Sequence, residues 1–186
     1  TTSDGNTAVG FQALTTNTTA ESNTAVGFNS LRLNTTGANN VAVGSQALDQ
    51  NTTANDNVAI GIDALKANTT GALNTAVGTS ALNANTTAAS NQAFGRRALY
   101  NNTTGTENNA FGYLALLSNT TGDFNVGVGV NALAANTTAD NNVAVGTAAL
   151  ATNISGTRNT AVGTNAGKLN TASDNVAIGF NALDTN

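Results

Sequence analysis

The stretch Asn57-Val58-Ala59-Ile60-Gly61-Ile62-Asp63-Ala64-Leu65-Lys66-Ala67-Asn68-Thr69-Thr70-Gly71-Ala72-Leu73 runs straight into Asn74-Thr75-Ala76-Val77-Gly78-Thr79-Ser80-Ala81-Leu82-Asn83-Ala84-Asn85-Thr86-Thr87-Ala88-Ala89-Ser90. The second copies the first at a spacing of 17 residues. Working outward, the opening Asn returns at Asn6, Asn23, Asn40, Asn91, Asn108, Asn125, Asn142 and Asn159, always 17 residues apart, and once more at Asn175 after a step of 16. The unit is Asn-(Thr/Val)-Ala-(Val/Ile/Phe)-Gly-x-x-Ala-Leu-x-x-Asn-Thr-Thr-(Gly/Ala)-x-x, with Gly127 in place of the Ala in the coil that starts at Asn125. Self-similarity at a fixed short period is the signature of a repeat architecture.

The apolar spacing decides between helix and strand. Ala and Val before the Gly, then Ala and Leu after it, form short pairs, and a Gly in every helix would cost about 0.5 to 1 kcal/mol against Ala. Val and Thr favour extended chain, with Gly and Asn at corners. The sequence therefore predicts an all-β fold, a parallel β-solenoid or β-roll of eleven coils. Each coil is expected to hold two short strands and two turns. Coils stacked at the strand spacing of about 4.8 Å would make a rod roughly 50 Å long.

Stacking turns repeat positions into columns. One expected inward column is Val9, Val26, Val43, Ile60, Val77, Phe94, Phe111, Val128, Val145, Val162 and Ile178. A second is Leu14, Leu31, Leu48, Leu65, Leu82, Leu99, Leu116, Leu133, Leu150 and Leu183, interrupted at Gly167. Turn columns are expected at Gly10, Gly27, Gly44, Gly61 and Gly78 and their equivalents, and at Asn17, Asn34, Asn51, Asn68 and Asn85 and theirs. Stacked Asn amides can hydrogen-bond along a column and tolerate corner backbone angles. Charged residues gather at the last two positions of the unit and just after the Leu, so these corners should be solvated.

Composition narrows the function classes. The 186 residues contain no Pro, Cys, Met, Trp or His, which removes disulfides, thiolate chemistry, the usual general base and the commonest metal ligand. Six basic residues and a net charge of −4 argue against a nucleic-acid surface. No apolar run reaches the ~18 residues of a membrane span. Neither an enzyme, a cofactor, a metal site nor membrane insertion is expected. The ends fall in mid-repeat without an atypical capping unit, so residues 1–186 read as one repeat array cut from a longer fibre.

The strand signature resembles the head repeats of trimeric autotransporter adhesins, the YadA-like head, whose pattern is Asn-Ser-Val-Ala-Ile-Gly-x-x-Ser/Ala. The matches are clearest at Asn39-Asn40-Val41-Ala42-Val43-Gly44-Ser45-Gln46-Ala47, Asp56-Asn57-Val58-Ala59-Ile60-Gly61-Ile62-Asp63-Ala64 and Asp174-Asn175-Val176-Ala177-Ile178-Gly179-Phe180-Asn181-Ala182. With Ala-Leu and Asn-Thr-Thr-Gly added, the unit also looks like repeat arrays of phage tail fibres. The resemblance implies a left-handed roll, a homotrimer, and an extracellular place on a bacterial cell surface or virion tail fibre. It also implies a host-surface receptor or glycan as partner. Here the coil is longer than in the head repeats, with the extra residues in the Asn-Thr-Thr corner. The thin interior independently argues for association, and the position after Gly, with Phe11, Phe28, Ile62, Tyr113, Val130 and Phe180, is a candidate contact; it also holds Ser45, Thr79, Arg96, Thr147 and Thr164, which fit a mixed outer face equally well.

Three further patterns compete with plainer readings. Asn-Thr-Thr fits the glycosylation sequon, but Asn170-Thr171-Ala172 keeps the Asn and loses the sequon, which favours a structural corner. Thr18 to Thr137 and Thr19 to Thr138 form adjacent rows that could face ice, giving a monomeric ice-binding solenoid as the alternative function. Adjacent strand residues point to opposite faces, which weighs against it. Arg96, Arg97, Tyr100 and Tyr113 mark a candidate ligand patch in the least regular coils, where drift in a tolerant array is the plainer account.

Overall fold

The computed structural model describes residues 3–184. Among them there is no helix, and every strand belongs to one sheet of eleven parallel strands in chain order. The strands are β1 (Thr7–Val9), β2 (Thr24–Val26), β3 (Val41–Val43), β4 (Val58–Ile60), β5 (Thr75–Val77), β6 (Gln92–Phe94), β7 (Asn109–Phe111), β8 (Val126–Val128), β9 (Val143–Val145), β10 (Thr160–Val162) and β11 (Val176–Ile178). Each pairs with the next at equivalent repeat positions, as in Val58 with Thr75, Ala59 with Ala76 and Ile60 with Val77. The chain is a β-solenoid, one coil per repeat. The shortened tenth coil stays in register, Thr160 against Val176, because its missing residue comes out of the corner beyond Asn170.

The expected second strand in each coil is absent from the described residues, for a backbone reason. In the coil beginning at Asn57, Gly61 has φ 134°, Asp63 56° and Leu65 50°. A left-handed residue at every second position cannot make a regular strand. Leu in this conformation costs about 1 to 2 kcal/mol. The ladder nevertheless continues through the turn. Leu65 N–H donates to Ala81 O (3.0 Å), Ala67 to Asn83 (3.1 Å) and Thr69 to Thr86 (2.8 Å), while Asp63 N–H reaches back to Ser45 O (2.9 Å). Nearly the whole circumference is thus bonded to its neighbours although three residues per coil are extended.

The column of Val9, Val26, Val43, Ile60, Val77, Phe94, Phe111, Val128, Val145, Val162 and Ile178 does not form the core, contrary to expectation. Side chains alternate across a strand. The middle residue points in, so Ala25, Ala42, Ala59, Ala76, Ala93, Ala110, Ala144, Ala161 and Ala177 are buried. The residues that flank it point out: Val26, Val43, Val77 and Val128 are half-buried, and Val9, Ile60, Phe94, Phe111, Val145, Val162 and Ile178 are exposed. Bulk alone chose Val over Ala, but the space opposite the Leu column fits a methyl. At Gly127 an added Cβ would lie 3.4 Å from Leu116 Cγ.

The Leu column is interior. Leu31, Leu48, Leu65, Leu82, Leu99, Leu116, Leu133 and Leu150 are buried, with a second Ala column from Ala47 to Ala166 beside them. At the two ends Leu14 is half-buried and Leu183 exposed. Burial of a Leu is worth about 1.5 to 3 kcal/mol, enough to offset its left-handed backbone.

These positions separate by mutation. Leu82→Ala opens a cavity and is expected to cost about 2 to 5 kcal/mol, whereas Val77→Ala on the outer side of β5 should cost well under half of that. Urea denaturation of the two variants measures the difference, and equal losses would restore Val77 to the core.

Candidate functional site

The interior carries two columns of buried amides. In the first, each Asn Oδ1 accepts the backbone N–H of its equivalent one coil on: Asn57 N–H to Asn40 Oδ1 (3.0 Å), Asn74 to Asn57 (2.9 Å) and Asn91 to Asn74 (3.0 Å). Its Nδ2 crosses the coil to a corner carbonyl, as in Asn74 to Ala88 O (2.8 Å). In the second column Nδ2 bonds the amide oxygen of the previous coil, Asn68 to Asn51 (3.0 Å) and Asn85 to Asn68 (2.8 Å). The remaining Nδ2 proton reaches the same corner carbonyl, Asn85 to Ala88 O (3.0 Å). Asn34, Asn51, Asn68 and Asn85 are therefore buried members of a bonded column at the turn, and Asn17 starts the same series half-buried.

The glycine column sits where successive backbones come closest. A Cβ on Gly61 would lie 2.7 Å from the carbonyl carbon and oxygen of Gly78, at a φ of 134° that L side chains rarely adopt. Gly10, Gly27, Gly44 and Gly78 share this environment. No side chain fits there without displacing the backbone above.

The Thr rows differ from one another. Hydroxyls of the first row are engaged: Thr35 Oγ1 donates to Thr52 O (3.0 Å), Thr52 to Thr69 (3.1 Å) and Thr69 to Thr86 (3.0 Å). Thr36, Thr53, Thr70, Thr87, Thr104, Thr121 and Thr138 of the second row are exposed. Thus one straight row of free hydroxyls runs along the rod, not two.

The four residues of the candidate ligand patch form two pairs. The Arg96 guanidinium lies 5.6 Å from the Tyr113 ring centre and its Nη1 donates to the phenol oxygen at 3.3 Å, while Arg97 lies 5.2 Å from the Tyr100 ring. The first pair is two residues along the same coils from Phe94 and Phe111, which stack at 4.8 Å with an interplanar angle of 5°. The sequence reading assigned these two Phe to the core and so missed the outward stack. The alternation of in and out along β6 and β7 was the signal that could have revealed it.

Charged side chains tie neighbouring coils at the edges. Arg32 forms a two-point pair with Asp49 (2.8 and 3.1 Å), and Arg158 another with Asp174 (2.6 and 2.8 Å). Hydrogen bonding from Arg158 holds the Asp174 carboxyl below its ordinary range, and both arginines are raised by their partners. Among the described residues no group of three His, Cys, Asp or Glu could hold a metal, no cavity is found, and no helix is long and apolar enough to cross a membrane. Comparison of the chain with protein-family models, with curated proteins and with solved structures finds no match.

Two measurements follow from this geometry. Asn85→Ala strands the Asn68 Oδ1 and one Nδ2 proton of Asn102, at about 1 to 3 kcal/mol for each buried group. Thr87→Ala on the exposed row should stay within about 0.5 kcal/mol. The pair is compared by urea midpoint. For pH, the lowered Asp174 value means that its contribution is present above the ordinary carboxylate range and lost as pH falls through its folded value. Because the pair is exposed and the ladder amides do not titrate, the thermal midpoint should be nearly flat from about pH 5 to 9 and fall only below that, and a steep change near neutrality would contradict it.

Proposed function

We propose that the chain is a non-enzymatic rigid spacer, a structural and attachment segment of an extracellular surface adhesin or tail fibre. The observation that carries this reading is the double Asn ladder, which joins every internal coil to its neighbour through buried amides. Bending the rod would lengthen several inter-coil bonds at once on one side, so stiffness comes from the Asn amides together with the backbone ladder and not from bulk. Protease resistance has the same origin, since a protease needs an extended loop and each coil segment is held from both sides. The likeness of the strand signature to adhesin head repeats and tail-fibre arrays supports a place outside the cell, where such a rod would hold a recognition element away from its base.

An ice-binding solenoid has one observation in its favour, the straight row of exposed Thr. The neighbouring Thr hydroxyls are committed to the ladder, so the plane of paired free hydroxyls that such a surface would use is not built from these rows. The spacer reading is the better supported.

The test is solution scattering combined with limited trypsin digestion at the exposed Arg96, Arg97 and Arg158. A rod about 50 Å long that remains uncut for hours is the expected outcome. A globular or expanded profile, or rapid cutting at these arginines, would reject the spacer. Thermal hysteresis in ice would shift the assignment to the alternative.

A further inference from the structure

Asn-x-Ser/Thr, the acceptor pattern for an N-linked sugar, occurs ten times in the chain. Nine copies open the Thr corner, eight as Asn-Thr-Thr and one as Asn153-Ile154-Ser155. Their amides are closed to a sugar. Each donates both Nδ2 protons, as Asn85 does to Asn68 Oδ1 (2.8 Å) and Ala88 O (3.0 Å). The half-buried Asn17 does the same, to Ser3 Oγ (3.3 Å) and Ala20 O (3.0 Å). The other eight are buried, and among the described residues no cavity lies beside them. A sugar on Nδ2 replaces one of its two protons, so here it would leave a buried oxygen unpaired and have no room. The tenth copy is Asn101-Asn102-Thr103, one residue out of phase with the repeat. Asn101 is exposed, and its backbone N–H serves the ladder by donating to Leu117 O (3.2 Å), while its side-chain amide has no hydrogen-bond partner among the described residues. The next residue, Asn102, is buried and spends its Nδ2 protons on Asn85 Oδ1 (3.1 Å) and Gly105 O (2.8 Å).

We infer that Asn101 is an N-glycosylation site, the one sequon of this chain at which a sugar and a closed coil coexist. In the reaction Nδ2 attacks the anomeric carbon of a glycosyl diphosphate. A carbon–nitrogen bond forms as the carbon–oxygen bond to the diphosphate breaks, and one amide proton passes to a base of the transferase, with nothing oxidised or reduced. The product is a bulky, solvated group, and the place suits it. The equivalents of Asn101 in the adjoining coils are the small Ala84 and Ser118, and no other coil carries Asn there, so no second sugar crowds it at the coil spacing of about 4.8 Å. The hydroxyl that completes the sequon, Thr103 Oγ1, donates to Thr120 O (3.0 Å) in the closed stack. A transferase that reads this hydroxyl therefore meets the chain before the coil of residues 91–107 closes on the next, and the sugar stays outside as the coil forms. Sugar added to a Thr corner at that moment holds its coil open. The same modification thus sorts chains, kept in the rod at Asn101 and blocking the rod elsewhere. The inference rests on the amide geometry and not on the spacer reading.

The test follows the sugar through folding. The full chain is unfolded in urea and diluted into UDP-glucose with a soluble asparagine-glycosylating transferase. The folded fraction is separated by gel filtration and checked by its far-UV spectrum, and the hexose-bearing positions are read by peptide mass spectrometry. Folded chains are expected to carry hexose at Asn101 and at none of Asn51, Asn68 or Asn85, which should be modified only in the unfolded fraction. Asn101→Gln should empty the folded fraction of hexose and leave its thermal midpoint unchanged. The chain offered already folded should gain none. Hexose at Asn51, Asn68 or Asn85 in folded chains would overturn the assignment. So would an unmodified Asn101 in folded chains while the unfolded fraction carries sugar, or no transfer to any chain. Hexose added to Asn101 of the folded chain would overturn the order of events. A folded fraction that shows the expected pattern but scatters as a globule would reject the spacer reading and leave the site in place.

Discussion

Each interior asparagine bonds to the coil behind it and to a corner carbonyl of its own coil, reached across the coil from the first column and three residues on from the second, and the rest of the structure depends on this double commitment. A buried amide left unpaired costs about 1 to 3 kcal/mol. The Asn columns are therefore stabilising only if every coil has the same length and the same corner conformation. Asn74 illustrates the coupling: its N–H reaches Asn57, its Oδ1 receives Asn91, and its Nδ2 fixes the Ala88 carbonyl. Shifting any coil by one residue would break three bonds at that coil and expose their partners in the next. Fidelity of the period is thus enforced by unsatisfied polar groups more than by lost apolar contact, which suits an interior made of Ala methyls and one Leu per coil.

Local strain is the counterpart. Leu65, Leu82 and Leu99 adopt φ near 50°, a conformation their β-carbons disfavour. An isolated coil could not hold it. In the stack the same angles direct the Leu N–H to the next coil (Leu82 to Ala98 O, 3.0 Å) while the side chain turns inward. Formation of a coil therefore depends on a formed neighbour, the nearest-neighbour cooperativity of repeat arrays. The all-parallel, all-adjacent sheet makes that dependence one-dimensional.

The period, the solenoid and the interior Leu and Asn columns were legible in the sequence because each shows as one residue type recurring at one position. Two features were not. Val26 and its equivalents look like core by size, yet strand parity measured from the buried Asn at the start of the unit places Ala25 inside and Val26 outside. The error in parity came from choosing the inward residue by bulk and not phasing the strand from the Asn that opens the unit. The second strand failed for a different reason. Ala-Leu has strand-compatible composition, but the left-handed angles at Gln46 and Leu48 are imposed by the ladder and leave no mark in propensity. In the candidate ligand patch the cation–π pairs joined residues already singled out, while the Phe stack beside Arg96 and Tyr113 was hidden by the same parity error.

The tenth coil shows which parts of the unit the ladder can spare. It lacks one residue and carries Gly167 in the Leu column. Asn159 still accepts the N–H of Asn175 at 3.0 Å and still reaches the corner carbonyl, now Ala172 O, 13 residues on instead of 14. What changes is the second column: Asn170 turns its Nδ2 to Asn159 Oδ1 at 3.4 Å, and Asn153 Oδ1 receives Gly156 N–H instead. The strand register is untouched. The first Asn column and the strand thus behave as the fixed side of the coil, and the Thr corner as the side where length can vary.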